Sequence, residues 1–113
     1  GENWGRVWAF IDERGGEETA EKLTLRLDEI SGEDLKRAWD FIYKKGNESS
    51  ASGLAYNLRK LSGESLNEAW DFINKKGGSV TAKRLIRYFP GLSDESKEMA
   101  IDFIQKKGRM SHV

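Results

Sequence analysis

Along residues 32–45 apolar side chains fall at Leu35, Ala38, Trp39 and Ile42, and along 63–76 at Leu66, Ala69, Trp70 and Ile73. The spacing i, i+3, i+4, i+7 places them on one stripe of an amphipathic helix. Phe41 and Phe72 widen that stripe to roughly 160° at about 100° per residue, an arc suited to a helix packed on two sides. A second pattern follows. Ala20, Leu23, Leu27 and Ile30 have counterparts in Ala51, Leu54, Leu58 and Leu61, then in Ala82, Leu85, Phe89 and Leu92. This spacing is helical as well and predicts second helices over about 19–30, 50–61 and 81–90.

Both patterns recur with a period of 31. Trp8, Trp39, Trp70 and Ile101 occupy one register, in the segments WAFIDERGG, WDFIYKKGN, WDFINKKGG and IDFIQKKGR. Between 32–62 and 63–93, 15 of 31 aligned positions are identical. A fixed period of this size marks a repeat architecture, in which a unit buries its apolar face by stacking on its neighbours. The expected fold is all-α: one domain, a right-handed solenoid of two-helix repeats with about three and a half units. These are 1–31, 32–62, 63–93 and a half unit at 94–107, followed by a frayed tail at 108–113. The last first-type helix has no second helix to cover it. The tail, a continuation of the chain or a second copy would have to do so, and self-association through this uncapped C-terminal helix is one expectation.

Local signals support the pattern. Ser31, Ser62 and Ser93 precede the first helices as expected N-caps. Lys-Lys-Gly at 44–46, 75–77 and 106–108 closes them, with lysines complementing the helix dipole and glycine expected in the left-handed conformation. Thr19, Ser50 and Thr81, or the residue before each, are expected to cap the second helices. Pro90 stands where the preceding unit has Arg59, so the third unit's second helix should end a turn early or kink. Gly53 costs its helix about 1 kcal/mol of propensity relative to alanine.

Composition then narrows the function. The chain has 113 residues with 19 basic and 19 acidic, so it carries no net charge. That balance argues against a generic nucleic-acid or membrane-surface binder. The charge is unevenly placed: residues 1–31 hold eight acids and four bases, whereas 32–93 hold seven acids and eleven bases. There is no cysteine, and no apolar run approaches the ~18 residues of a membrane helix. No secretory leader is visible, which favours an intracellular setting, and Gly1 reads as a cleavage or excision point.

Chemistry has little to work with. The single histidine, His112, falls in the expected tail, so neither a Ser-His-Asp nor a Cys-His site can be assembled. Acid pairs such as Asp28-Glu29 and Glu17-Glu18 sit on polar faces. No clustered metal-ligand set and no phosphate-binding glycine loop is present, so neither cofactor nor metal is expected. Asn47-Glu48-Ser49 matches a glycosylation sequon and carries weight only in a secreted chain. Trp39 and Trp70 lie mid-stripe where Ile101 also occurs, so they read as packing elements that supply volume rather than an indole N–H. Trp4 has the same reading with partial exposure.

The edge beside the tryptophans is the candidate partner-binding site. Stacking would align Lys44, Lys45, Lys75, Lys76, Lys106 and Lys107 into a ridge able to follow phosphates or an acidic protein. Capping chemistry alone also accounts for them. The position before each pair varies, with Asp12, Tyr43, Asn74 and Gln105, as a one-residue-per-repeat reader would require. Drift at an exposed site gives the same diversity.

The segment Asp71-Phe-Ile-Asn-Lys-Lys-Gly through Arg87-Tyr-Phe-Pro-Gly-Leu92 resembles the unit of mitochondrial transcription termination factors, which implies DNA binding by a helical solenoid. Those units carry the proline throughout, whereas here only Pro90 does. The helix–GlyGly–helix layout is similar to TAL-effector-like readers of DNA, with Lys75-Lys76 at the place of the base-reading pair. The placement of Trp39 and Tyr56 resembles the tryptophan/tyrosine helical units of oomycete effectors, which bind host proteins. The expected function is that of a non-enzymatic scaffold binding a protein partner through an extended repeat surface, with no membrane role. The alternative is nucleic-acid binding, the lysine ridge on phosphates and residues 43, 74 and 105 towards bases.

Overall fold

Each apolar stripe becomes a helix. The computed structural model describes residues 2–108, with side chains for 4–107, and among these residues the fold is all-α with no strand. Its seven α-helices are α1 (Glu2–Arg14), α2 (Glu17–Thr24), α3 (Gly32–Lys45), α4 (Glu48–Asn57), α5 (Gly63–Lys76), α6 (Ser79–Tyr88) and α7 (Asp94–Phe103). A wider, π-type turn over Ile104–Gly108 prolongs α7. Gly1, the expected tail beyond Gly108 and His112 lie outside the described residues.

The helix starts differ from expectation in an informative way. Ser31 and Ser62 hold the cap positions of α3 and α5, but neither side chain makes a capping hydrogen bond. The next residues, Gly32 and Gly63, have φ of 60° and 55°, the left-handed region that favours glycine. At α7 the corresponding residue is Asp94, no non-glycine φ is positive among the described residues, and the Ser93 hydroxyl accepts from the Ser96 N–H at 3.2 Å. Glycine at the first helical position thus goes with an unused serine, and aspartate there with a working cap.

The glycines at the helix ends are not left-handed. Gly46 and Gly77 have φ of −74° and −71° with extended ψ. What they supply is space. A Cβ on Gly15, Gly46 or Gly77 would stand 2.7, 2.8 or 2.7 Å from Cζ of Phe41, Phe72 or Phe103 respectively. Each phenylalanine lies 26 residues after its glycine, so one helix end receives a ring from the next helix of the same kind.

The second helices begin two residues before the expected starts. Their caps are Gly16, Asn47 and Gly78, while Ser50 and Thr81 stand one turn in and accept from the Asn47 and Gly78 N–H groups at 3.3 and 3.2 Å. The Asn47 side chain accepts from the Ser49 N–H at 2.9 Å. All three helices then pass into a tighter 3₁₀ turn, at Leu27–Glu29, Leu58–Lys60 and Phe89–Gly91. Pro90 therefore causes no special early stop. It occupies a turn where every unit has already left α geometry, and its missing N–H and fixed φ are tolerated there.

Packing puts α4 in the middle, with α2 on one side and α6 on the other; α2 and α4 also pack on the following α3 and α5. Gly53 brings α4 so close to α2 that a Cβ would collide with the Thr24 hydroxyl, which explains a helix-weakening residue at that point. Asn57, buried, donates to the Thr24 carbonyl at 3.0 Å and to Asp28 at 3.2 Å. On the opposite side the Ser52 and Thr81 hydroxyls meet at 3.2 Å. All three positional sets of the second helices are buried except Phe89, which is half-buried. The molecule measures 44 × 28 × 18 Å, and no helix among the described residues is long and apolar enough to cross a membrane.

Candidate interaction surfaces

The tryptophan register carries more than volume. Trp8, Trp39 and Trp70 are buried as expected, but Ile101 is 46% exposed, so its presence says nothing about what a buried site requires. The indole N–H is used at two of the three sites. Trp8 donates to Asp34 at 3.0 Å and Trp70 to Ser96 at 3.2 Å, each acceptor lying 26 residues on. The residue in that register after Trp39 is Ser65, and the Trp39 Nε1 is buried without a hydrogen-bond partner. Trp4, half-buried, packs its ring 5.8 Å from that of Trp8.

The variable position points across to the next helix rather than straight to solvent in two of its four cases. Asp12 holds the Arg37 guanidinium. The Tyr43 hydroxyl donates to Asp71 at 2.7 Å and to the Glu68 carbonyl at 3.3 Å, and its ring packs edge-on against Phe72 with 5.5 Å between centroids. Burial and the bond to Asp71 raise the Tyr43 pKa far above the ordinary tyrosine range. The same bond, aided by Lys75, pulls the Asp71 carboxyl below the ordinary range. Asn74 and Gln105 are exposed.

The six lysines divide into two groups. Lys75 pairs with Asp71 at 3.1 Å and Lys106 with Asp102 at 3.0 Å, each partner one turn earlier on the same helix. Lys75 also lies 5.6 Å from the Tyr43 ring centroid. Lys44, Lys45, Lys76 and Lys107 form no ion pair among the described residues, and all but the half-exposed Lys107 are exposed. Carboxylates thus neutralise part of the expected ridge from within the helices that bear it.

Two features lie largely outside the expected edge, the first meeting it at Tyr43. Between α3 and α5 a cavity of about 500 Å³ has Leu35, Trp39 and Tyr43 as its apolar wall and Asp40, Glu64 and Glu68 as its carboxylates; Lys36 contributes the one cation. On the second helices, Tyr56 and Tyr88 meet edge-on at 5.0 Å, with Arg59 within 5.1 and 5.5 Å of the two ring centroids and Arg87 5.7 Å from that of Tyr88. Tyr56 makes its ring contact here, and among the described residues none joins it to Trp39. Neither feature was legible from periodicity, because each depends on which residues of two different units face one another. No family model matches the chain, and no curated protein or solved structure matches it.

Proposed function

We propose that the chain is a non-enzymatic protein-interaction scaffold, a right-handed α-solenoid segment in which 31-residue helix pairs display grooves along the row of first helices. What supports it is the set of contacts 25 to 28 residues apart, Trp8 to Asp34, Arg37 to Asp12, Tyr43 to Asp71 and Trp70 to Ser96, which link consecutive first helices by side chains, the two tryptophan bonds at equivalent positions of the repeat. Between such linked helices lie concave gaps whose lining residues change from unit to unit, the arrangement that repeat scaffolds use to recognise extended segments. The cavity between α3 and α5 carries the proposal, since it combines aromatic walls with charged groups free to pair with a ligand.

A second reading, nucleic-acid binding, draws on the Arg59 and Arg87 guanidiniums, which stack on Tyr56 and Tyr88 and form no ion pair among the described residues. Residues 72–93 contain five bases and no acid, so that region would attract phosphate.

The deciding experiment pairs a displayed peptide library with labelled single-stranded and duplex oligonucleotides at low salt. Saturable peptide binding that shifts amides of α3 and α5, with no oligonucleotide binding, is the expected result. Oligonucleotide binding that falls steeply with salt and is lost on Lys75→Glu/Lys76→Glu, at unchanged melting temperature, would overturn the scaffold in favour of the second reading.

A further inference from the structure

The chain holds an occupied version of its own empty cavity. Between α1 and α3, Arg37 lies 29 residues after Trp8. Its guanidinium stands 5.3 Å from the Trp8 ring centroid and is bound by the Asp12 carboxylate. A gap of about 180 Å³ beside it is lined by Trp8, Asp12, Arg37, Asp40, Phe41 and Lys44, of which the first three have counterparts in the lining between α3 and α5. Between α3 and α5 the residue 29 after Trp39 is Glu68, so among the described residues no guanidinium lies over the ring, and a gap of about 500 Å³ stands beside it. In the third register, after Trp70, the residue is Met99, which carries no charge.

The walls of the larger gap suit the missing group. Asp40, Glu64 and Glu68 line it, and none of the three forms an ion pair among the described residues, so with Lys36 the lining carries a net charge of −2 (three acids, one base). Trp39 and Tyr43 offer aromatic surface. The Trp39 Nε1, on a side chain 7% exposed, is the one buried side-chain polar atom without a partner among the described residues. An orphaned buried donor is destabilising, and Trp8 and Trp70 at the equivalent positions avoid that state.

We propose that this cavity binds an arginine side chain presented by a partner protein, in the place that Arg37 takes against Trp8. The planar guanidinium stacks on the indole and pairs with Glu64 and Glu68, a combination that lysine, a compact and strongly hydrated point charge, matches less well. The assignment rests on the scaffold function and narrows its partner to one with an exposed arginine in an extended segment.

The test follows the Trp39 indole N–H signal in a ¹⁵N-labelled full chain, assigned by its loss in Trp39→Phe. The chain is titrated with a blocked Gly-Arg-Gly peptide and with the same peptide carrying citrulline, which keeps the shape and removes the charge. The arginine peptide is expected to move the Trp39 signal saturably and the citrulline peptide to leave it in place. Glu68→Arg fills the site with the chain's own guanidinium, as Arg37 does, and is expected to weaken binding by about tenfold while preserving the melting temperature. If Glu68→Arg disturbs the fold, Glu68→Gln with Glu64→Gln serves instead and should weaken binding similarly. An unmoved Trp39 signal, equal response to citrulline, or undiminished binding in those variants overturns the assignment. Library peptides that still bind elsewhere on the chain would leave the scaffold function standing, so the two failures are distinguishable.

Discussion

Tyr43 concentrates the physical chemistry of a single residue. Its ring lies between Trp39 and Phe72, and its hydroxyl spans two helices to Asp71. In the unfolded chain a tyrosine titrates near pH ~10. Because the folded value is raised, the neutral hydroxyl contributes its full stability below about pH 10 and loses it as pH rises through the folded value. Asp71 has the opposite sign: its lowered pKa makes the contact most stabilising above about pH 4, and the gain is lost as pH falls through the folded value. Tyr43 is therefore expected to resist ionisation at 295 nm until the protein unfolds in alkali. Tyr43→Phe should remove that late phase; its persistence in the variant would show that another tyrosine is responsible. The position was visible in the sequence as a variable polar residue. That it bonds across to the next helix was not, because its partner lies 28 residues away and is set by how two helices pack.

The helices illustrate how one motif can work in two ways. Ser31, Ser62 and Ser93 share a register, yet the hydroxyl caps a helix only at Ser93. Ser93→Ala is expected to cost about 1 kcal/mol, the usual worth of an N-cap, whereas Ser31→Ala and Ser62→Ala should change stability by no more than a few tenths. Urea melts of the three variants check this, and equal losses would refute the distinction. Helix existence and the bounds of α3 and α5 were legible because a 3.6-residue stripe ends at a glycine in each unit. The cap bonds were not, since glycine and aspartate at the next position send the backbone into different conformations. Pro90 makes the same point. In isolation it signals a break peculiar to one helix, but the structure has a turn at that register in every unit.

At the scale of the molecule, identical sequence positions acquire different energies from their surroundings. Phe10, Phe41, Phe72 and Phe103 share a register, but Phe72 is fully buried over Gly46 while Phe10 is 56% exposed. Phe72→Ala is expected to cost about 3–5 kcal/mol, as for a truncated core aromatic, and Phe10→Ala about 0.5 kcal/mol, as for a surface change. Comparable losses in thermal denaturation would mean that the glycine–phenylalanine contact is not what holds consecutive helices together. The same logic separates the two arginine environments. Arg37 is satisfied within the chain by Trp8 and Asp12, and the corresponding gap beside Trp39 is left for another molecule.

By itself the sequence determined the helical class, the register of the core and the 31-residue recurrence, because a helix's apolar stripe is a one-dimensional pattern set by 3.6 residues per turn. Tertiary structure alone decided which glycines make room for a ring, which tryptophans satisfy their N–H, and where a cavity opens. Those outcomes depend on pairs of residues 25 to 33 apart, brought together when one helix settles against the next, and an amphipathic stripe contains no information about that approach.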